Sequence, residues 1–324
     1  VVNNIVKRIE ECGGSVCFNT RLESVECKAD GSVCGIKTNR GDIDCDILVM
    51  AIGHSSRDTY DMLIDNGFAV RAKSFSVGVR IEHPQELINK SLFGKEWNNP
   101  LLGAANYKLA NHPPHGRGGY TFCMCPGGTV VCASSEENRV VVNGMSEFAR
   151  DGRNANSAIL VGIEPEHFPS EHPLSGIELQ RIIESKAFDL GGRDYTAPAQ
   201  LVGDFLKGIP SKKLGEVKPT CTTGVPLGDI RGVLPKEVTD SIGLAIVAFD
   251  KKLDGFALPD AVLTAPESRS SSPVRIVRDE FRQASIKGIF PCGEGAGYAG
   301  GIVSAAVDGI RTAEAVLSDC VDDC

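Results

Sequence analysis

The 324-residue sequence contains no apolar stretch that approaches the roughly 18 uncharged residues a helix needs to cross a bilayer. A helical membrane span is therefore not expected. The opening, VVNNIVKRIEECGG, lacks the long apolar core of a secretory signal. There is no Lys/Arg run interleaved with aromatics, and 34 basic residues stand against 42 acidic ones, for a net charge of −8. A surface that tracks a phosphate backbone needs the opposite balance, so no nucleic-acid partner is expected and a small-molecule substrate is expected instead. The twelve cysteines show no CxxC…CxxC spacing, which removes a zinc ribbon. No Ser/His/Asp or paired-carboxylate constellation can be assigned from spacing, and no internal period marks a repeat architecture.

These absences narrow the remaining candidates. Scattered over a large acidic chain, many of them in apolar strand-like runs, the cysteines are expected to be mostly buried, reduced thiols. Cys123 and Cys125 fall in such a run, where core packing is expected ahead of a metal or redox role. Cys320 and Cys324 are expected in a terminal tail. His112-Pro-Pro-His115 has two prolines and no third ligand type nearby, so a solvated loop is expected there and no metal. The cytoplasm is the expected compartment, with a plastid as the alternative if a transit peptide has been removed.

The length suits two lobes. Val1 to Cys12 carries apolar residues at 2, 5, 6, 9 and 12, the spacing of one helix face, and Gly13-Gly14 supplies the stop. SVCFNTRLESVEC, SVCGIKT and DIDCDILVMAIG follow, divided by the turn signals ADGS and NRGD, and predict three short strands in a meander. The last runs on into ILVMAIG, a pattern that predicts a strand covered on both faces. It ends in Gly53-His54-Ser55-Ser56-Arg57-Asp58, where open α/β sheets place their ligands. From 73 to 272 the sequence becomes a patchwork of strand-like pieces and Pro/Gly loops, expected to form one inserted α+β domain. Beyond TAPESRSSSPVRI the regular pattern returns. GIFPC predicts a strand, GEGAGYAGG a loop, and Ile302, Ala305, Ala306, Ile310, Ala313 and Leu317 a helix packing one face.

The glycine loop concentrates the chemistry. Gly295, Gly297 and Gly300 match GxGxxG, but a dinucleotide fingerprint must open a βαβ unit, and no second strand follows. A helix whose first turn is glycine and alanine still exposes unpaired amides that can cradle an anion or an electron-rich heterocycle. Glu294, at the strand end, is placed to accept hydrogen bonds from a polyol such as a ribityl chain. Tight helix-on-sheet packing is the competing explanation for five glycines in nine residues.

GIFPCGEGAGYAGGIVSAAVDGI resembles the closing motif of FAD-dependent oxidoreductases of the glutathione-reductase-like class, within it a group of FAD-dependent dehydrogenases of uncertain substrate. DILVMAIGHSSRDTYDML, SFSVGVRIEHPQELI, YTFCMCPGGTVV, NGMSEFARDGRNANSAILV and APESRSSSPVRI are similar to further blocks of that group, so the resemblance spans nearly the whole chain. It implies an α/β fold in which an incomplete FAD/NAD(P)-binding Rossmann-like domain with a β-meander, residues 1–72 and 273–319, is interrupted by a substrate or cap domain at 73–272, with a tail at 320–324. Gly293, Glu294 and Gly295 would lie along the ribityl and pyrophosphate side of FAD. Gly300, Gly301 and Ile302 would face the pyrimidine edge of the isoalloxazine. Ala51, Ile52 and Gly53 would match an ATG-like strand end, with isoleucine in place of the usual threonine. Members of the family begin with a strand-GxGxxG-helix segment that has no counterpart here, so a carboxyl-terminal portion that binds FAD weakly or not at all by itself is expected.

The resemblance further implies a flavoprotein oxidoreductase with hydride transfer through flavin N5, and NAD(P)H as an expected electron donor. A truncated, non-catalytic binding or scaffold module is the alternative. Flavin-dependent modification of RNA is disfavoured by the acidic charge. Arg269, Arg275, Cys292 and Tyr298 are candidates for the substrate side, the arginines as anion-binding groups, against bland roles in a crossover or at a strand end. No catalytic base can be named.

Overall fold

In the computed structural model of the chain, residues 1–322 are described, their side chains as far as Ser318. The fold is mixed α/β with several sheets, and the chain divides into two compact units, Ala72–Val274 and the pair of segments Val1–Arg71 and Arg275–Cys324. Among the described residues no helix is long and apolar enough to cross a membrane.

The larger unit is built on a six-stranded antiparallel sheet in the order Ala199–Leu201, Val262–Glu267, Phe75–Pro84, Asn154–Ile163, Gly119–Cys125, Ala110–Asn111. Its two central strands pair over ten residues, from Asn154 against Pro84 to Ile163 against Phe75. FSVGVRIEHP explains this position. Val77, Val79, Ile81 and His83 point to one face and Gly78, Arg80 and Glu82 to the other, and all are fully buried. A side chain at Gly78 would put a Cβ 1.8 Å from the Ile159 carbonyl oxygen, so this strand crossing admits only glycine. Helix Lys236–Asp250 packs on the apolar face, with Ile242, Ile246 and Phe249 in a core continuous with Val77, Val79 and Ile81.

The polar face is held by charge. Arg80 makes a bidentate pair with Glu267 (Nε–Oε2 2.5 Å, Nη2–Oε1 2.8 Å) and donates from Nη1 to Asn156 Oδ1 at 2.7 Å. Burial opposes the guanidinium charge, and the Glu267 carboxylate more than offsets it, raising the Arg80 pKa. The hairpin of Gly128–Cys132 and Val142–Ser146 closes over this group, with Gly144 so near that a Cβ there would lie 2.0 Å from Arg80 Nη1.

His83 makes the larger unit sensitive to mild acid. Its Nε2 lies 2.7 Å from the Phe256 carbonyl oxygen, which fixes Nε2 as the protonated nitrogen, and burial pushes its pKa from 6.5 down to about 4. The unfolded chain binds a proton near pH 6.5 that the folded chain refuses until about pH 4, so this contribution is full above 6.5 and is lost as the pH falls through that window. The expected loss is about 3 kcal/mol. Denaturant titrations of wild type and His83→Gln at several pH values between 4 and 7 check this. The difference between the two should shrink with falling pH, which separates His83 from Glu82, whose carboxyl burial shifts the other way.

The smaller unit begins with helix Val2–Glu11. Strands Leu22–Cys27, Val33–Thr38 and Gly41–Asp44 form the expected antiparallel meander. The third sequence run then breaks at Cys45, and Leu48–Met50 is a separate strand paired parallel to Ile289–Pro291. Val49 is exposed, so the expected coverage on both faces does not hold among the described residues. Helix Ile302–Asp322 also corrects its expectation. Ile302 is 91 % and Ile310 62 % exposed, and Ala306, Ala313 and Leu317 are exposed with them. The covered side instead carries Asp308 and Thr312, because Arg278 and Arg282 hold the Asp308 carboxylate. The helix runs through Asp322, so of the expected tail at 320–324 only residues 323 and 324, and with them Cys324, lie outside the described residues.

Candidate functional site

Two parallel strands of the smaller unit, Leu48–Met50 and Ile289–Pro291, end side by side, and a loop leaves each. Both loops depend on glycine. Gly53, Gly293 and Gly297 have φ of +70°, +75° and +84°, which side chains rarely adopt. Gly295 is required for a different reason, since a Cβ there would lie 2.3 Å from the Gly53 carbonyl oxygen. The two loops thus touch backbone to backbone. Tyr60, buried on helix Arg57–Asp65, locks the contact by donating its hydroxyl to the Gly295 carbonyl at 2.7 Å.

Glu294 sits between them. Its Oε1 lies 3.0 Å from His54 Nδ1, with the imidazole buried and the carboxylate 30 % exposed. One carboxylate edge is therefore oriented by the histidine while solvent reaches the group. The Gly293 amide donates to Asp308 Oδ2 at 2.8 Å, and Arg278 makes a bidentate approach to the same carboxylate. Burial alone would raise the Asp308 pKa, but Arg278, the Gly293 amide and Arg282 hold it well below the usual carboxylate range.

The loop then enters helix Ile302–Asp322, where Ala305 donates to the Gly301 carbonyl at 2.9 Å. The amides ahead of it belong to an open helix end. Nothing approaches the position of a Cβ on Gly301 more closely than Ser304 Oγ at 3.8 Å. Close packing within the chain thus explains Gly295 but not Gly301, whose Cβ position is open.

Of the residues expected to face a cofactor, the structure brings Ile52, Gly53, Gly293, Glu294 and Gly295 together, with Ala51 exposed just ahead of them and the Ile52 carbonyl accepting from Ser56. Gly300, Gly301 and Ile302 form the open helix start. The substrate-side candidates are deployed differently. Arg275 donates to the Gly297 carbonyl at 3.0 Å, and Tyr298 lies under Arg278 at 3.6 Å from its ring centroid, so both brace the glycine loop. Cys292 is buried, with its sulfur against Gly309 of the helix. Arg269 belongs to the larger unit, where the fully buried Glu184 takes its guanidinium at 2.8 Å and Glu136 at 3.2 Å. Sequence reasoning placed His54 in the ligand-facing stretch 53–58 but not against Glu294, and it missed Tyr60 and Asp308 as site residues. Asp308 carried a local signal, an acid within the small and apolar run VSAAVDGI. The partners of His54 and Tyr60 carried none, since each lies more than 200 positions away.

A family model described as "FAD-dependent protein, C-terminal domain-like" matches residues 74–270. The chain belongs to this family. The matched span lies in the larger unit, so membership does not rest on the glycine loop. A protein of Clostridium beijerinckii, described only as uncharacterized, is 51 % identical over 319 residues, which cover 98 % of this chain and 60 % of that protein. The chain thus spans about 60 % of the length of the curated relative it matches.

Proposed function

We propose that the smaller unit forms the flavin-proximal part of an FAD site in an oxidoreductase that acts on a small-molecule substrate. The observation that carries this is the open helix start at Gly301, side-chain-free where nothing in the chain demands it, next to an oriented and accessible Glu294. Family membership supports FAD as the ligand. When bound, the flavin would supply two-electron chemistry by accepting or giving a hydride at N5, with NAD(P)H as the proposed electron donor.

The residues present fit such a group. Glu294, held by His54, would accept hydrogen bonds from the ribityl hydroxyls. The amides of Gly301 and Ile302, reinforced by the positive end of a helix that runs to Asp322, would hold negative charge at the pyrimidine edge. Asp308, Arg278, Arg275 and Tyr60 keep the loop in place, so that little reorganisation accompanies binding. The larger unit, which carries the family match, would select the substrate.

The test is an absorbance spectrum of this chain and of the full-length C. beijerinckii relative, each incubated with FAD and passed through a desalting column. The relative should retain flavin near one per chain and this chain less, with the retained fraction rising at higher FAD concentration. Colourless protein in both cases, with no FAD binding by fluorescence quenching, overturns the proposal.

A further inference from the structure

We propose that Cys132 and Cys221, in the larger unit, form a reversible disulfide that fastens the loop around Thr220 to the edge of the Gly128–Cys132 hairpin strand. Their sulfurs lie 3.8 Å apart although the residues are 89 positions apart in sequence. A disulfide bond needs about 2.05 Å, so closure requires a movement of under ~2 Å. Thr223 Oγ1 reaches both sulfurs, at 3.1 Å from Cys132 and 3.5 Å from Cys221.

The two thiols are unequal in a way that suits sequential exchange. Cys132 is half-buried and within reach of a small reagent, whereas Cys221 is buried. The contact between the sulfurs, in which either can donate, favours loss of one proton from the pair against the effect of burial, and Thr223 supports it. The pair therefore holds a thiolate that either sulfur can carry, and Cys132 is the one a reagent can reach.

The oxidant is a low-molecular-weight disulfide, RSSR. Cys132, as the thiolate with the shared proton on Cys221, attacks one sulfur, giving a Cys132–S–SR mixed disulfide and expelling RS⁻. Cys221 then gives its proton to the released RS⁻ and, as the thiolate, attacks Cys132 Sγ, forming the Cys132–Cys221 bond and expelling the second RS⁻. Two protein thiols lose two electrons in total, and RSSR becomes two thiols. An excess of RSH runs the sequence backwards.

The consequence is local. Thr220 donates its amide and its hydroxyl to the buried Glu82 carboxylate at 3.0 and 2.5 Å, and its oxygen accepts the Val130 amide at 3.0 Å. The bond would convert this polar seam between loop and strand into a covalent one. The neighbouring Cys123 and Cys125 are weaker candidates, because Cys125 Sγ is directed at the Cys123 carbonyl at 3.3 Å and at Arg80 at 3.8 Å.

The experiment treats the full chain with oxidised glutathione, blocks remaining thiols by alkylation, and maps the digested peptides by mass. The expected result is a Cys132–Cys221 cross-linked peptide two hydrogens lighter than the sum of its parts, absent after reduction. Cys221→Ser should trap glutathione on Cys132. Cys132→Ser should leave Cys221 at least ~10-fold less glutathionylated than Cys132 is in Cys221→Ser, because it is buried. Far-ultraviolet circular dichroism of both variants confirms that they fold. Glutathione on both cysteines of the wild type without a cross-link, a cross-link only between Cys123 and Cys125, or no modification of Cys132 at all overturns the proposal. None of these outcomes depends on whether the chain binds flavin.

Discussion

Gly301→Asp should abolish flavin retention without disturbing the helix it begins. The substitution has room, since the nearest atom to the new Cβ is Ser304 Oγ at 3.8 Å. An acidic side chain at a helix start is itself favourable by about 0.3–1 kcal/mol, so the fold is not the casualty. The carboxylate would stand at the open helix start, and its charge would oppose any negative charge held by the first-turn amides, a juxtaposition that costs several kcal/mol. At about 1.4 kcal/mol per tenfold, a loss of at least ~100-fold in FAD affinity is expected. The measurement is fluorescence quenching of FAD by this chain and by the full-length relative with the corresponding change. Ala313→Asp, at an exposed position on the same helix, is the control and should bind as wild type does. Equal affinity in Gly301→Asp and wild type would show that the open helix start takes no part in holding flavin.

The second large effect concerns stability. Arg80→Met leaves the Glu267 carboxylate buried without its counter-charge and strands Asn156 Oδ1 and the Cys123 carbonyl, both of which accept from the guanidinium. Breaking one side of a buried pair costs about 3–5 kcal/mol. Replacing both partners removes the uncompensated charge, so Arg80→Met with Glu267→Met should recover a large part of that loss. Urea titrations of the single and double variants decide the matter. A single variant within about 1 kcal/mol of wild type would mean that water reaches Glu267 and that the pair does not hold the face of the sheet.

The glycine-rich strand end was visible in the sequence because its signals are local. A short apolar run, a loop with five glycines and a helical period predicted the strand Ile289–Pro291, the turn and the helix Ile302–Asp322, and the structure has all three. The helix face was misjudged because period identifies an apolar stripe but not what covers it. The predicted stripe was Ile302, Ala305, Ala306, Ile310, Ala313 and Leu317, and of these Ala305 alone is half-covered, whereas Asp308 and Thr312 face inward, anchored by Arg278 and Arg282. The cysteines were misjudged in a similar way. Of the ten described, only Cys125, Cys221 and Cys292 are buried, and Cys123, expected in the core, is exposed at φ +45° in an irregularity of its strand. Alternation along a run cannot foresee a bulge, which turns the next residue to the other side.

By itself the sequence determined the local geometry: which segments extend, which coil, and where only glycine can turn the chain. These follow from steric limits on a few adjacent residues. The pairings were decided by the tertiary structure. His54 meets Glu294 across 240 positions, Tyr60 meets Gly295 across 235, Arg80 meets Glu267 across 187 and Cys132 meets Cys221 across 89. Each pairing depends on which strands lie next to each other and in what register. That choice minimises the free energy of the whole chain, and no short window of residues carries it.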